Sequence, residues 1–281
     1  MKKHRQMTGE NSLTEYLVSL DATPEKMPVL FVGHGSPMNA IEENEFTHSW
    51  KEIGKMLPSP RAILCISAHW ETPVTEIQTT ECPKTIYDFY GFPEELFNKR
   101  YPAPGAPEIV SEIDDQLLSL QAIRNDTRGF DHGAWSVLLS MFPKADIPVF
   151  QLSLSRSLTF AQHFDLGSEL AFLRKKGVLI LCSGNIVHNL AMSKYIHTAY
   201  DWAIEFDAVV KNAIRYEEYS SLINYTDYGA MADLAIPTSE HYLPMLYALS
   251  LKDKKDELQF FNEKSILASI SMRSFVFGQV K

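Results

Sequence analysis

Four short, continuously apolar runs constrain the fold of this chain more than any other feature of its sequence. They are PVLFVG (28–33), AILCISA (62–68), IPVFQLSL (147–154) and GVLILCSG (177–184). A run without polar alternation is typical of a strand buried on both faces, as in a parallel sheet. Segments with helical periodicity separate the runs. The pattern therefore predicts an α/β fold in which helices cover both faces of a mostly parallel sheet.

The rest of the chain is expected to complete one domain around this sheet. Helices are predicted at 108–123, 157–177, 200–219 and 241–251. The tail 265–278 is a candidate for one more strand, and 80–108, which is rich in turn residues, is expected to be an irregular excursion over the edge of the sheet. We expect a single catalytic domain at 27–281, preceded by an N-terminal extension at 1–26.

Charge and composition exclude several classes of function. The net charge is −9 and the pI near 5.5, whereas binding to nucleic acid requires a basic face. No apolar stretch approaches the roughly 20 residues of a membrane span, and the N-terminal residues lack the apolar core of a signal peptide. Cys65 and Cys182 lie in apolar runs, which suits a reducing compartment. We expect a cytoplasmic protein with no nucleic-acid or membrane partner.

Histidines follow the predicted strands. His34 ends the first run, His69 ends the second, and His188 lies just beyond the fourth. Ligands of open α/β sheets bind in the crevice outside the carboxyl ends of the strands, so these three side chains point toward one rim. His241 in IPTSEHYLP and His132 in GFDHGAW each lie where a loop opens a helix. Five of the nine histidines are therefore candidates for one site.

Each of these histidines, taken singly, fits a structural role, but unrelated core histidines have no reason to collect after strand ends. Imidazole is the commonest metal ligand, and a catalytic site usually has about three protein ligands and an open position. His34, His69 and His241 are candidates for these ligands, and His188 is either a fourth ligand or a general base. The remaining histidines are expected to be solvated or to cap helices: His4, His48, His163 and His197.

Seven motifs occur in an order that resembles one known family. They are GHGSPMN, SAHW, IYDFYGFPEELF, YPAPG, FDHGAW, GNIVHNL and PTSEHYLPMLYAL. Together they resemble the class III extradiol ring-cleavage dioxygenases of the LigB-like superfamily, in the branch of the DOPA-type extradiol dioxygenases. The similarity runs from about residue 27 to the C-terminus. It implies a three-layer α/β/α sandwich, a single non-haem divalent metal ion, and cleavage of a catechol such as L-DOPA by dioxygen beside one hydroxyl.

The resemblance also implies roles for the histidines. His34 in GHGSPMN, His69 in SAHW and His241 in EHYLP correspond to metal ligands. His188 in GNIVHN corresponds to the catalytic acid/base, close enough to ligate the metal when substrate is absent, and His132 in FDHGAW lines the substrate pocket. The wider superfamily completes its ligand set with a carboxylate, whereas this motif places Glu240 beside His241. We prefer His241 as the ligand, with Glu240 as its hydrogen-bond partner or as a charge at the helix terminus.

The choice of metal separates two functions. Fe(II) is expected for ring opening, because it passes electron density from catechol to dioxygen and redox-inert zinc does not. An all-histidine set suits Zn(II) at least as well, so zinc is plausible as the bound metal. The main alternative is therefore a zinc-dependent hydrolase that uses a metal-bound hydroxide, with His188 or Glu240 as base. A non-enzymatic metal-binding or interaction protein is a third interpretation.

Other nucleophiles fit less well. GHGSPM has Met38 where the nucleophile elbow of a serine hydrolase needs glycine, and Cys182 lies inside an apolar run. The aromatic loop at 86–93, IYDFYGFP, either covers the catechol or forms a separate hydrophobic cluster. Arg128 and Lys84 are candidates for holding a substrate carboxylate. The sequence leaves the physiological substrate and the oligomeric state open.

Overall fold

A computed structural model describes residues 26–113, 115–116, 120–196 and 198–279. Except for Lys26, the predicted N-terminal extension lies outside these ranges, and so do the predictions for His4 and His197. Within the described ranges, no helix has both the length and the apolarity needed to cross a bilayer.

Twelve strands occur in the described part of the chain. They are β1 (Val29–Gly33), β2 (Ala62–Ser67), β3 (Glu71–Thr72), β4 (Glu76–Gln78), β5 (Ile123–Asn125), β6 (Val149–Gln151), β7 (Leu154–Ser155), β8 (Val178–Gly184), β9 (Leu258–Phe261), β10 (Ser265–Ile266), β11 (Ile270–Ser271) and β12 (Ser274–Phe277).

Ten α-helices and three short 3-10 helices have bounds that lie within the described ranges. The α-helices are α1 (Glu45–Met56), α2 (Glu94–Phe97), α3 (Pro107–Glu112), α4 (His132–Met141), α5 (Phe160–Glu169), α6 (Ala171–Lys175), α7 (Asp201–Arg215), α8 (Tyr219–Ile223), α9 (Ala230–Ala235) and α10 (Leu243–Ser250). The 3-10 helices are Pro37–Ala40, Leu190–Met192 and Tyr225–Tyr228.

The central sheet has six strands in the order β6-β2-β8-β1-β12-β9. The first four are mutually parallel, with β8 between β2 and β1, whereas β12 pairs antiparallel with both β1 and β9. The four apolar runs thus supply the parallel part of the sheet, and the C-terminal tail supplies the predicted extra strand. The mostly parallel sheet predicted from the sequence is confirmed.

Both faces of this sheet are covered by helices. Leu30 and Val32 of β1 pack on one face with residues of α1 and α4, whereas Val29 and Phe31 pack on the other face with residues of α5, α7 and α10. All four side chains are fully buried, because neighbouring residues of a strand point to opposite faces and both faces are covered. The result is the expected three-layer α/β/α sandwich.

Two predicted elements are shorter in the structure. The run at 147–154 splits into β6 and β7, because β7 leaves the central sheet and pairs with β3. The Ser153 hydroxyl supports this departure, since it contacts the Thr72 hydroxyl at 2.5 Å and accepts the Glu76 backbone N–H at 2.7 Å. The helix predicted at 108–123 begins as α3, and Ile123 already belongs to β5. Residues 114 and 117–119 lie outside the described ranges.

The segment at 80–108 runs along the edge of the sheet, as expected. The backbone N–H of Val149, in the edge strand β6, donates to the Pro104 carbonyl at 2.9 Å. Tyr101 and Ala103 are buried against the core on the α1 and α4 face. The segment therefore covers one edge of the sheet, and it places the aromatic loop near the carboxyl ends of the parallel strands.

The prediction for His163 is wrong. This side chain is neither solvated nor a cap, because only 1% of it is exposed and its Nδ1 lies 2.8 Å from the Tyr247 hydroxyl. His163 lies on the face of α5 that packs against α10, together with Leu166 and Gly167. His48 does match its prediction, since it is exposed on α1 and lies 3.0 Å from Glu43.

Candidate metal centre

Histidines from five distant parts of the chain meet beyond the carboxyl ends of β1, β2 and β8. The ring centroid of His34 lies 5.0 Å from that of His69 and 5.2 Å from that of His241, and the last two are 4.9 Å apart. The ring of His132 lies 3.9 Å from that of His69, and the ring of His188 lies 3.5 Å from that of His241. The structure thus brings all five predicted site residues into one cluster.

His34 is oriented by the strand next to its own. Its Nδ1 lies 3.0 Å from the hydroxyl of Ser183 in β8, and this hydroxyl donates to the Gly133 carbonyl at 2.6 Å. A hydroxyl has one proton, so Ser183 accepts from His34 and the imidazole proton lies on Nδ1. The unprotonated Nε2 of His34 is then free to bind a metal.

His241 is oriented by its sequence neighbour. Its Nδ1 lies 2.9 Å from Oε1 of Glu240, and a carboxylate only accepts hydrogen bonds. The proton therefore lies on Nδ1, and the lone pair lies on Nε2. This Nε2 is buried and has no hydrogen-bond partner among the described residues. A buried, unpartnered imidazole nitrogen costs free energy unless a ligand satisfies it, so the arrangement fits a metal ion.

Gly184, the last residue of β8, allows His241 to approach this strand closely. The Asn185 backbone N–H donates to the His241 carbonyl at 2.8 Å. A Cβ atom on Gly184 would lie 2.2 Å from that same carbonyl oxygen. Any larger residue at this position therefore displaces His241 from the cluster.

His69 faces His34 directly. Their Nε2 atoms are 3.1 Å apart, and Nδ1 of His69 lies 3.4 Å from Oδ2 of Asp88. Two nitrogens bound to one ion at about 2.0–2.1 Å lie roughly 3 Å apart, so this separation suits a shared metal. The donor set of neutral imidazoles, each with a partner at Nδ1, fits a divalent transition metal.

The remaining two histidines border this trio. His132 opens α4, whose first turn is capped by the Asp131 side chain, and its Nδ1 approaches Oδ1 of Asp88 to 3.0 Å. His188 stacks on His241 with the ring planes 9° apart, and its backbone N–H donates to the Ala235 carbonyl at 2.9 Å. Potential ligand atoms of His34, His69 and His132 lie within 4.8 Å of one another, as do those of His188, Glu240 and His241.

Burial keeps these imidazoles neutral. It lowers the pKa of His34 and of His241 well below the usual value of 6.5, and the neighbouring histidines lower both further. Burial also lowers the pKa of His69 and of His188 to about 4, against the opposing influence of nearby carboxylates. At neutral pH the site therefore presents unprotonated nitrogens, and a metal ion displaces no protons from them.

Acid is expected to destabilise the metal-free protein through these histidines. Their pKa is about 6.5 when unfolded but lower when folded, so the unfolded state takes up protons first as the pH falls. The free energy of unfolding should be insensitive to them above pH 7. It should fall by about 1–3 kcal/mol for each of His69 and His188 between pH 6.5 and 4. Urea unfolding in the presence of a chelator measures this change.

His163, a buried histidine outside the cluster, provides a control for the pH experiment. Burial also lowers the pKa of His163 to about 4, so His163→Gln should remove one increment of the acid sensitivity at a place far from the cluster. A free energy of unfolding that stays constant or rises from pH 6.5 to 4.5 in the metal-free protein would contradict burial of neutral histidines.

Two of the side chains that orient the cluster, Asp88 and Ser183, were missed by the sequence reasoning, whereas Glu240 was named as a partner of His241. Asp88 and Ser183 lie inside quoted motifs, IYDFYGFP and CSG, but nothing in the motifs indicates which histidine each one meets. Arg128, a candidate for holding a substrate carboxylate, is already engaged. Its Nη2 donates to the His69 carbonyl at 3.1 Å and to Oδ2 of Asp131 at 2.7 Å. It therefore supports the loop that carries His69.

The aromatic loop packs against the core on the α1 and α4 face of the sheet. The Tyr87 hydroxyl donates to the Lys99 carbonyl at 2.7 Å, and Phe89 contacts Phe92, with 5.4 Å between ring centroids. Phe89 also meets His132 edge-on at 5.6 Å, whereas Tyr90 is 92% exposed. These aromatic side chains therefore extend the core and do not form a separate cluster, and Phe89 is the aromatic side chain of the loop that contacts a histidine of the site.

Comparison with known proteins gives a consistent result. A protein-family model described as the catalytic LigB subunit of aromatic ring-opening dioxygenase matches residues 28–277. A protein of Escherichia coli named 4,5-DOPA dioxygenase extradiol is 40% identical over 272 residues, which are 95% of this chain and 100% of that protein. Proteins with the same name from Beta vulgaris and Portulaca grandiflora are 36% and 33% identical, covering 83% and 89% of this chain and 89% and 95% of theirs.

A solved structure also matches. The crystal structure of an uncharacterized protein, JW3007, from Escherichia coli K12 superposes with a TM-score of 0.79 at 40% identity. The match covers 90% of this chain and 100% of that one. At this identity, the similarity supports both a shared fold and a shared family.

Proposed function

This chain belongs to the LigB family of aromatic ring-opening dioxygenases, and from that premise we propose that it opens the ring of L-DOPA or a similar catechol by 4,5-extradiol cleavage with dioxygen. It is an extradiol ring-opening dioxygenase of the non-haem metal type. The relatives that share the DOPA dioxygenase name match nearly the whole chain, which supports the choice of substrate. We assign the activity to one catalytic domain at residues 27–281.

The convergence of three imidazole rings carries this proposal. His34, His69 and His241 would hold one metal ion through Nε2, because each has its Nδ1 next to an acceptor. Glu240 then acts through His241 and does not bind the metal itself. A ferrous ion held there would lower the pKa of the catechol hydroxyls and would let electron density pass from the catechol to dioxygen.

His188 is proposed as the acid/base. Its ring stacks on that of His241, so it borders the proposed metal site, where a catechol would be bound. With its pKa lowered to about 4 in the metal-free protein, it is neutral at pH 7 and accepts a proton from the substrate. It returns this proton to the ring-opened product. His132, beside His69 and Phe89, is proposed to line the other side of the substrate pocket.

Oxygen consumption tests the proposal against the zinc-hydrolase alternative. The metal-free protein is loaded anaerobically with ferrous iron, mixed with L-DOPA and exposed to dioxygen. We expect one dioxygen consumed per L-DOPA and a yellow ring-opened product, with no turnover by the zinc-loaded protein. If the iron-loaded protein leaves every catechol in a panel intact, the proposed dioxygenase function is wrong. Hydrolysis without oxygen uptake would support the zinc-hydrolase alternative.

We also propose a cytoplasmic location. Cys65 and Cys182 are buried free thiols, and Cys82 is an exposed free thiol. Free cysteines without disulfides are typical of a reducing compartment, where ferrous iron also persists. Oxidation of the iron outside such a compartment would inactivate the enzyme.

A further inference from the structure

One carboxylate lies between the candidate ligand His69 and the pocket residue His132. Oδ2 of Asp88 lies 3.4 Å from Nδ1 of His69. Its other oxygen, Oδ1, accepts the backbone N–H of His132 at 3.0 Å and lies 3.0 Å from Nδ1 of the same residue. The Asp88 side chain is 23% exposed, so both oxygens face the protein more than the solvent.

The backbone just before Asp88 is fixed to the core. The Ile86 N–H donates to the Phe130 carbonyl at 2.7 Å, and the Ile86 carbonyl accepts from Nε1 of the fully buried Trp135 at 2.9 Å. On the same loop, the Tyr87 hydroxyl donates to the Lys99 carbonyl. A carboxylate on such an anchored backbone has little freedom, so it orients the rings it touches.

The position of a proton on His69 decides whether this residue can ligate. Its Nε2 faces His34 and must carry the lone pair to bind a shared ion, so the proton must lie on Nδ1. An ionised carboxylate next to Nδ1 accepts that proton in a hydrogen bond and disfavours the other tautomer. Asp88 is the group that faces Nδ1.

We propose that Asp88 is a positioning residue, which holds His69 in the tautomer that binds the metal and fixes His132 at the same time through its second oxygen. This inference rests on the proposed role of His69 as a ligand. It gives the aromatic loop a function in the site that its exposed aromatic side chains do not supply.

The substitution Asp88→Asn preserves the packing of the side chain but changes its charge and its hydrogen-bonding groups. The amide has nearly the same shape but only one oxygen, and the His132 backbone N–H occupies that oxygen at Oδ1. The NH₂ group then faces Nδ1 of His69 and donates to it, which moves the imidazole proton to Nε2 and removes the ligating lone pair.

The test is the zinc affinity of the purified protein, measured by competition with a chromophoric chelator. We expect Asp88→Asn to bind zinc about 10- to 100-fold more weakly than wild type, with an unchanged melting temperature in the metal-free state. Asp88→Ala should lose at least as much affinity, because Nδ1 of His69 then has no carboxylate beside it and the His132 backbone N–H loses its acceptor. Glu94→Gln, which changes an exposed carboxylate in α2, serves as the matched control and should bind zinc like wild type.

His69→Ala is measured in parallel to keep the two proposals apart. If His69→Ala loses zinc while Asp88→Asn stays within about twofold of wild type, the positioning role is wrong and the ligand assignment stands. If His69→Ala keeps the zinc affinity of wild type, the ligand assignment fails and takes the positioning role with it.

Discussion

Replacing His241 with alanine is expected to remove the metal from the protein and to abolish ring opening. Structural zinc sites bind with roughly 10–16 kcal/mol over four ligands, so one ligand is worth about 3 kcal/mol, or roughly two orders of magnitude in affinity. His241 is fully enclosed at the end of β8, and its Nε2 has no partner among the described residues. Metal content after dialysis, together with zinc affinity, measures the loss.

Glu240→Gln is the matched variant for this experiment. The glutamine oxygen still accepts from Nδ1 of His241, but the negative charge is gone, so we expect a loss of about tenfold in zinc affinity and partial retention of activity. His48→Ala removes an exposed imidazole and should change neither quantity. The opposite order, with Glu240→Gln far more damaging than His241→Ala, would make Glu240 the ligand and contradict the assignment.

Replacing His188 with glutamine is expected to lower kcat of the iron-loaded protein by about 10²- to 10⁴-fold, the usual contribution of a positioned acid/base. The metal should remain, because His34, His69 and His241 keep their orienting partners. Glutamine forms hydrogen bonds but does not exchange protons near neutral pH, so binding of catechol should change much less than turnover.

The measurement is kcat and KM for L-DOPA at equal iron content in wild type and His188→Gln. A fall in kcat with a nearly unchanged KM and full metal content supports the acid/base role. Activity near the wild-type value would contradict that role. Loss of metal along with activity would instead make His188 a fourth ligand.

The sequence predicted where the candidate site lies better than it predicted the contacts between side chains within the site. His34, His69 and His188 could be assigned to one rim because each follows a strand of continuous apolar residues, and the carboxyl ends of parallel strands meet at one edge. His132 and His241 follow no strand of the sheet. They were predicted as site residues because each lies where a loop opens a helix, and because of the resemblance to a family.

Glu240 could be named as a partner of His241 because the two are adjacent in sequence, but Ser183 and Asp88 could not be predicted, because their roles depend on contacts between parts of the chain that are far apart in sequence. Ser183 reaches His34 only because β8 lies beside β1 in the sheet. Asp88 reaches His69 only because the loop that runs along the edge of the sheet returns to the carboxyl ends of the parallel strands. The prediction for His163 was wrong for a related reason, since the sequence pattern of α5 did not indicate that α10 packs over this residue.

The most direct test of a single histidine-bound metal is anomalous diffraction from crystals soaked in zinc or cobalt. We predict one strong peak about 2.0–2.3 Å from the Nε2 atoms of His34, His69 and His241, with the Glu240 carboxylate turned toward Nδ1 of His241. A peak bound instead by Glu240 and His188, or by Asp88, or no peak within this cluster, would contradict the account.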